Sequence, residues 1–311
     1  MSEGDSTAIQ RWPIDPVEVL VEGQGEQTIL MIHGWPDTLA LWDAQVAALS
    51  RRYRCARFTL PGFAGTARQA QAWSLNEITA LIGRIVEALN PGGPVILLVH
   101  DWGALFGYHF IMSHPQRVSR LIGLDIGDAG SADHVRSLGI REKAMVAGYQ
   151  LWLALAWRLG GALGDRMTRA MARWLRAPGE PATIGARMNY PYDITWFRSH
   201  GSYRHVRGLK LPLPVPMLFV YGERKPFMFH SQPWLDSLAT QPGCRGRDAG
   251  RPLDDGSRRR DAQSCDSRMA RTGRITRSCE RQPRLTRVRS PCTCGSASNR
   301  GSITRNQSGG T

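Results

Sequence analysis

Along the chain, short apolar runs alternate with longer stretches in which apolar residues recur every three or four positions. The runs at 17–22 (VEVLVE), 28–32 (TILMI), 54–59 (RCARFT), 94–99 (PVILLV), 118–125 (VSRLIGLD) and 215–221 (VPMLFVY) read as strands. Helical spacing fits 38–50, 74–89, 102–113 and 230–240, and Ser74 followed by Glu77 has the form of a capping box. This rhythm predicts a mostly parallel α/β sheet. Between the strands at 118–125 and 215–221 the strand signal disappears, and the sequence is rich in Trp, Met, Leu and Arg. That stretch predicts a helical cap laid over the sheet. Its most apolar part, 144–164 (AMVAGYQLWLALAWRLGGALG), approaches the length of a membrane span, but Gln150 and Arg158 interrupt it. A span wants about 20 nearly uncharged residues, so a buried or half-exposed cap helix is the expectation. No internal repeat is visible.

Composition changes this picture at one place. All 10 Trp, 7 Tyr, 8 Phe and 8 His precede residue 244. Residues 244–311 hold 16 of the 40 basic residues, all Arg, against 6 of the 26 acids, and thus +10 of the net +14. The first 243 residues carry an ordinary balance, so the basic total is no nucleic-acid footprint of the folded part. The last 68 residues contain only six from Leu, Ile, Val and Met. Such a segment buries too little apolar surface to offset chain entropy of roughly 1–2 kcal/mol per residue and is expected to be disordered. Cysteine follows the same division: Cys55 is alone before residue 244, and the spacing of the other five does not form a zinc pattern. The first residues, MSEGDSTAIQRW, bring acids early and no apolar run, unlike a secretory signal, and a cytoplasmic setting is expected.

Candidate chemistry centres on VHDWG (99–103), where an apolar run passes directly into a helix. A nucleophile on so sharp a strand-to-helix turn projects beyond the carboxyl end of the sheet, and the helix N-terminus beneath it favours an ionised carboxylate. Asp101 could equally serve as a plain helix cap. Two further motifs bear on the choice. In HGWPD (33–37), Gly34 allows an unusual backbone and Pro36 fixes a turn, so that a backbone N–H can point at the elbow. The N–H groups of Trp35 and Trp102 would then form an oxyanion hole. LPGFAGT (60–66) adds a Gly/Pro loop after the next strand.

In this order and spacing, HGWPD, LPGFAG and VHDWGA resemble the α/β-hydrolase superfamily, in the branch of epoxide hydrolases and haloalkane dehalogenases whose nucleophile is Asp. The resemblance covers about residues 12–243. It implies an eight-stranded, mostly parallel sheet, a helical cap and a pocket between them that admits a small hydrophobic electrophile, an epoxide or an alkyl halide. Asp101 would attack carbon and form a covalent ester, which a histidine-activated water then hydrolyses. Dehalogenases of this group keep Asn where this chain has Trp35, whereas epoxide hydrolases use cap tyrosines, for which Tyr190 and Tyr192 in RMNYPYDITWFR are the candidates. An epoxide hydrolase is therefore favoured over a dehalogenase. The acid that orients the histidine is expected at Asp125, with Asp128 and Glu223 as alternatives. His33 is expected to be structural. No cofactor, metal, nucleic-acid partner or membrane partner is implied; Ser-dependent lipase or esterase chemistry does not fit an elbow Asp.

One piece of the pattern is missing. The family's histidine follows a further strand, yet no histidine follows His230. His230 lies one strand too early and reads as a helix-start residue, while His200 and His205 belong to the cap. The expected organisation is a hydrolase core over 12–130 and 211–243, a cap over 131–210 and an Arg/Ser/Gly-rich tail over 244–311, with the last strand and helix missing. The tail's composition matches a GC-rich gene read out of frame. Impaired turnover follows as an expectation, with a non-catalytic relic and an Arg-rich nucleic-acid arm as the other readings.

Overall fold

A computed structural model describes residues 8–63, 71–177, 179–197, 213–222, 225 and 227–248. All of them fall within one compact unit, Met1–Arg281. Eight strands form a single sheet: β1 (Gln10–Ile14), β2 (Val17–Glu22), β3 (Thr28–Ile32), β4 (Arg54–Phe58), β5 (Val95–His100), β6 (Val118–Leu124), β7 (Met217–Tyr221) and β8 (Arg245–Asp248). Their spatial order is β1-β2-β4-β3-β5-β6-β7-β8. The first two strands pair antiparallel, as do β2 and β4, and every pair from β4 onward is parallel.

The central strands are apolar throughout because both faces are covered. Leu30, Ile32, Leu97 and Val99 face the core built with α2 (Leu75–Leu89) and α3 (Trp102–Ser113). Ile29, Met31, Ile96 and Leu98 face the other side, against Val46 and Leu49 of α1 (Asp43–Leu49) and Trp42. The capping box on α2 forms as expected, with Ser74 and Glu77 exchanging hydrogen bonds.

Between β6 and β7 the described residues hold helices and no strand: α4 (Ala132–Ser137), α5 (Ile140–Leu159), α6 (Gly161–Trp174) and α7 (Tyr190–Phe197). α8 (Gln232–Thr240) follows β7, and Ser231 caps it by accepting from the Trp234 N–H. No helix among the described residues is long and apolar enough to cross a membrane.

Two strands depart from the sequence expectation. β1, QRWPI, holds a proline and alternates exposed positions, which only an edge strand tolerates. β8 corrects the expectation that the last strand is missing and that a tail begins at residue 244. Arg245–Asp248 pairs in parallel register with Leu218–Tyr221, and Cys244 is buried beside it. An edge strand is held by main-chain hydrogen bonds, so RGRD needs no apolar pattern to complete the sheet. Residues 249–311, and with them most of the expected disordered tail, lie outside the described residues.

Candidate active site

Asp101 sits between β5 and α3 with φ 51° and ψ −126°. For a residue with a side chain this conformation costs about 1–3 kcal/mol and persists only where its surroundings enforce it. They do so through two glycines. A Cβ on Gly34 would lie 2.5 Å from the Asp101 Cβ and Oδ1 and from the Trp102 nitrogen, and one on Gly103 would collide with the carbonyl oxygens of Ile32 and His33. β3 and the elbow are thus in backbone contact. Although Asp101 occupies the cap position of α3, its side chain makes no capping hydrogen bond. Its Oδ1 instead accepts the Trp35 N–H at 2.8 Å, and the Trp102 N–H also bonds the carboxylate. The two backbone donors named from the sequence therefore converge on one carboxylate.

His33 holds this loop in place. Its Nε2 accepts the Leu60 N–H at 2.9 Å, which puts the ring proton on Nδ1, 2.9 Å from the Gly34 carbonyl oxygen. Burial pulls its pKa down to about 4, so it stays neutral, in line with a structural role.

Charge around Asp101 is dense. Burial raises its pKa above the ordinary carboxylate value, and His100, the two backbone donors and Lys225 offset that only in part. His100 lies amid three carboxylates. Burial disfavours its cation, but Asp125 at 3.7 Å from Nε2, together with Asp101 and Asp37, outweighs this and raises its pKa. Asp125, at φ 66°, accepts the Gly222 N–H at 3.2 Å and pairs with Lys225 at 2.6 Å. Burial alone would raise its pKa; His100 and Lys225 reverse the sign and hold it well below the carboxylate range. Asp37 has no such pair, and burial pushes it up to about 6.

The structure thus places Asp125 beside the elbow but gives it His100 and Lys225 as partners. Asp128 is bound elsewhere: it accepts the Ser231 N–H at 2.7 Å and the Ser231 hydroxyl at 2.8 Å, which anchors α8. His230, just before that cap, packs among Phe219, Tyr221 and Trp234. Glu223, His200 and His205 lie outside the described residues, as does 64–66 of the LPGFAGT loop.

The two cap tyrosines separate. Tyr192 stands edge-on to Trp35 at 6.0 Å and to Trp102 at 5.2 Å, accepts the Trp102 indole N–H, and feels the charge of Asp101. Tyr190 turns away, its ring packed against Phe63 and Trp157 and its hydroxyl within the field of Glu77. Tyr149 on α5 also feels the charge of Asp101; its ring meets Tyr192 edge-on at 6.2 Å, and its hydroxyl accepts the Gln150 side-chain N–H at 3.2 Å. Burial keeps both phenols far above their ordinary pKa, as undissociated donors. Sequence reading missed Tyr149 because it is embedded in the apolar run at 144–164. A lone polar aromatic at i+4 from Met145 and i−4 from Leu153 was the available signal. The Trp35 indole is also committed, donating to Asn189 Oδ1 at 2.8 Å. Among the described residues no cluster of side chains fits a metal ion.

Comparison with known proteins bears on the fold. Residues 27–153 match the family model of the alpha/beta hydrolase fold. The chain has that fold, and the relatives it matches include epoxide hydrolases. It is 26% identical over 254 residues to an epoxide hydrolase of Caballeronia sordidicola, covering 73% of this chain and 72% of that one. A match to a probable oxidoreductase, EphD, of Mycobacterium tuberculosis is 27% identical over 126 residues but spans only 21% of that protein and 39% of this chain. Among solved structures, an epoxide hydrolase of Bacillus megaterium in complex with an inhibitor superposes with a TM-score of 0.56 at 20% identity, over 77% of this chain and 91% of that one.

Proposed function

We propose that the protein opens epoxides through a covalent ester on Asp101 and that the ester then persists. The observation that supports this most directly is a buried carboxylate held by two backbone N–H groups, with the undissociated phenols of Tyr149 and Tyr192 close enough to feel its charge. A carboxylate oxygen of Asp101 attacks an epoxide carbon; the new C–O bond forms as the ring C–O bond breaks. The leaving oxygen stays on the substrate and takes a hydrogen bond, then a proton, from a cap tyrosine. The N–H groups of Trp35 and Trp102 remain on the ester carbonyl oxygen, where they would stabilise an oxyanion if water attacked.

That second step needs a base. Asp125 is paired with Lys225 and accepts the Gly222 N–H on the same oxygen, its other oxygen lies 3.7 Å from His100, and no histidine follows His230 in the sequence. Hydrolysis is accordingly slow, and the protein behaves as a single-turnover alkyl acceptor. The dehalogenase reading is disfavoured because both indoles that could hold a halide are already bonded, Trp35 to Asn189 and Trp102 to Tyr192.

Incubation with an aryl epoxide such as styrene oxide tests this by intact mass. One added epoxide mass is expected in the wild type and none at this site in Asp101→Asn. Release of halide from a bromoalkane at a higher rate than epoxide opening would reverse the order of the two substrate classes.

A further inference from the structure

The cap has a face that chemistry at Asp101 does not use. Helix α5 is apolar on two sides. Its inner side buries Tyr149, Leu153 and Ala156. Its outer side exposes Leu151, Leu155 and Leu159 by 39%, 47% and 50%, four residues apart and so aligned in one stripe. Trp152, 42% exposed, bridges to α6 by donating its indole N–H to the Met167 carbonyl at 3.0 Å. Past the turn at Gly160 and Gly161, Leu163 extends the stripe at 56% exposure.

The rim of this stripe is predominantly basic. Arg141 and Lys143 lie at its start on α5, and Arg166 and Arg173 lie on α6 at helical spacing from Leu163. All four are exposed and have no acidic partner among the described residues. The single acid in each helix is occupied. Glu142 accepts the Gly139 N–H at 2.6 Å, and Asp165 accepts the Ala186 N–H at 2.8 Å while pairing with Arg169.

We infer that this face docks on an anionic lipid surface. Leucines with an interfacial tryptophan, bordered by cations, suit a helix lying in the headgroup region. A second copy of the chain fits less well, since a twofold contact would set the basic rim against itself. Docking would lay the cap against a phase in which apolar small molecules concentrate, with Tyr149 on the opposite side of the same helix. The inference stands whether or not Asp101 reacts.

The test is co-sedimentation of the full chain with vesicles of phosphatidylcholine containing phosphatidylglycerol, against phosphatidylcholine alone. The double substitution Leu155→Glu and Leu159→Glu keeps the Arg-rich residues 244–311, so adsorption through those arginines is common to both chains. The wild type is expected to partition onto anionic vesicles about tenfold more strongly than the variant. Quenching of tryptophan emission by brominated lipid should fall in Trp152→Phe, and circular dichroism should be unchanged in both variants. Equal partitioning of wild type and double variant would overturn the inference. So would a concentration-dependent dimer that the double variant abolishes, because the face would then serve self-association.

Discussion

At the residue scale the site is a balance of buried charge that the sequence motif did not display. HGWPD and VHDWG supplied Trp35, Asp101 and Trp102, and Gly34 is the reason they meet. Gly34→Ala forces its methyl into the Asp101 carboxylate and the Trp102 nitrogen. It should slow alkylation by about 10²-fold, measured as the rate of adduct formation. Asp125 and Asp37 should give opposite pH signatures. Asp125 is held below the carboxylate range, so the folded chain binds fewer protons there than the unfolded one. Its stabilisation is complete above the ordinary carboxylate pKa and is lost as pH falls through the depressed value. Asp125→Asn should therefore destabilise the protein by about 3 kcal/mol at neutral pH, with the difference closing in strong acid. Asp37 is raised to about 6, so the folded chain keeps a proton that the unfolded chain has released. That contribution fades as pH rises from about 4 toward 6, and Asp37→Asn should stabilise above pH 6 by about 3 kcal/mol. Thermal melts of both variants across pH check the two slopes. None of this pairing was legible in the sequence, because His100 approaches Asp37 and Asp125, and Lys225 approaches Asp125, only through the fold.

At the element scale, local patterns located the strands that have a buried face and failed where backbone pairing alone decides. β3 and β5 are continuous apolar runs and could be read directly. β1 and β8, at the two sheet edges, have no such run. Ending the chain after Gly243 removes β8 and opens the β7 edge, so it should melt roughly 5 °C below a chain ending after Asp248. The cap shows the same division. Its helical character was clear, but which tyrosines come near Asp101 depends on how α5 and α7 are rotated against each other. Tyr192 and Tyr149 feel its charge, whereas Tyr190 packs on Phe63. Tyr149→Phe and Tyr192→Phe should each slow adduct formation by about 10²-fold, while Tyr190→Phe should leave it nearly unchanged. Single-turnover rates of the three variants would separate these roles.

At the scale of the whole molecule, the eight-stranded order and the helices inserted between β6 and β7 follow the resemblance read from three motifs. The proposed hydrolysis of the ester needs a base, and no histidine follows His230 in the sequence. If residues from the mid-240s onward are an out-of-frame reading, another frame of the coding DNA should encode a Gly-His followed by an amphipathic helix. Its absence in all frames would remove that explanation. The central claim, however, concerns Asp101 and can be met directly by a time course of intact mass and peptide mapping with styrene oxide, alongside an assay for released diol. The account predicts one epoxide equivalent on the peptide containing Asp101, labile to hydroxylamine as an ester is, absent in Asp101→Asn, and accompanied by little diol. Rapid diol release over many turnovers, or labelling confined to cysteine as a hydroxylamine-stable thioether, would contradict it.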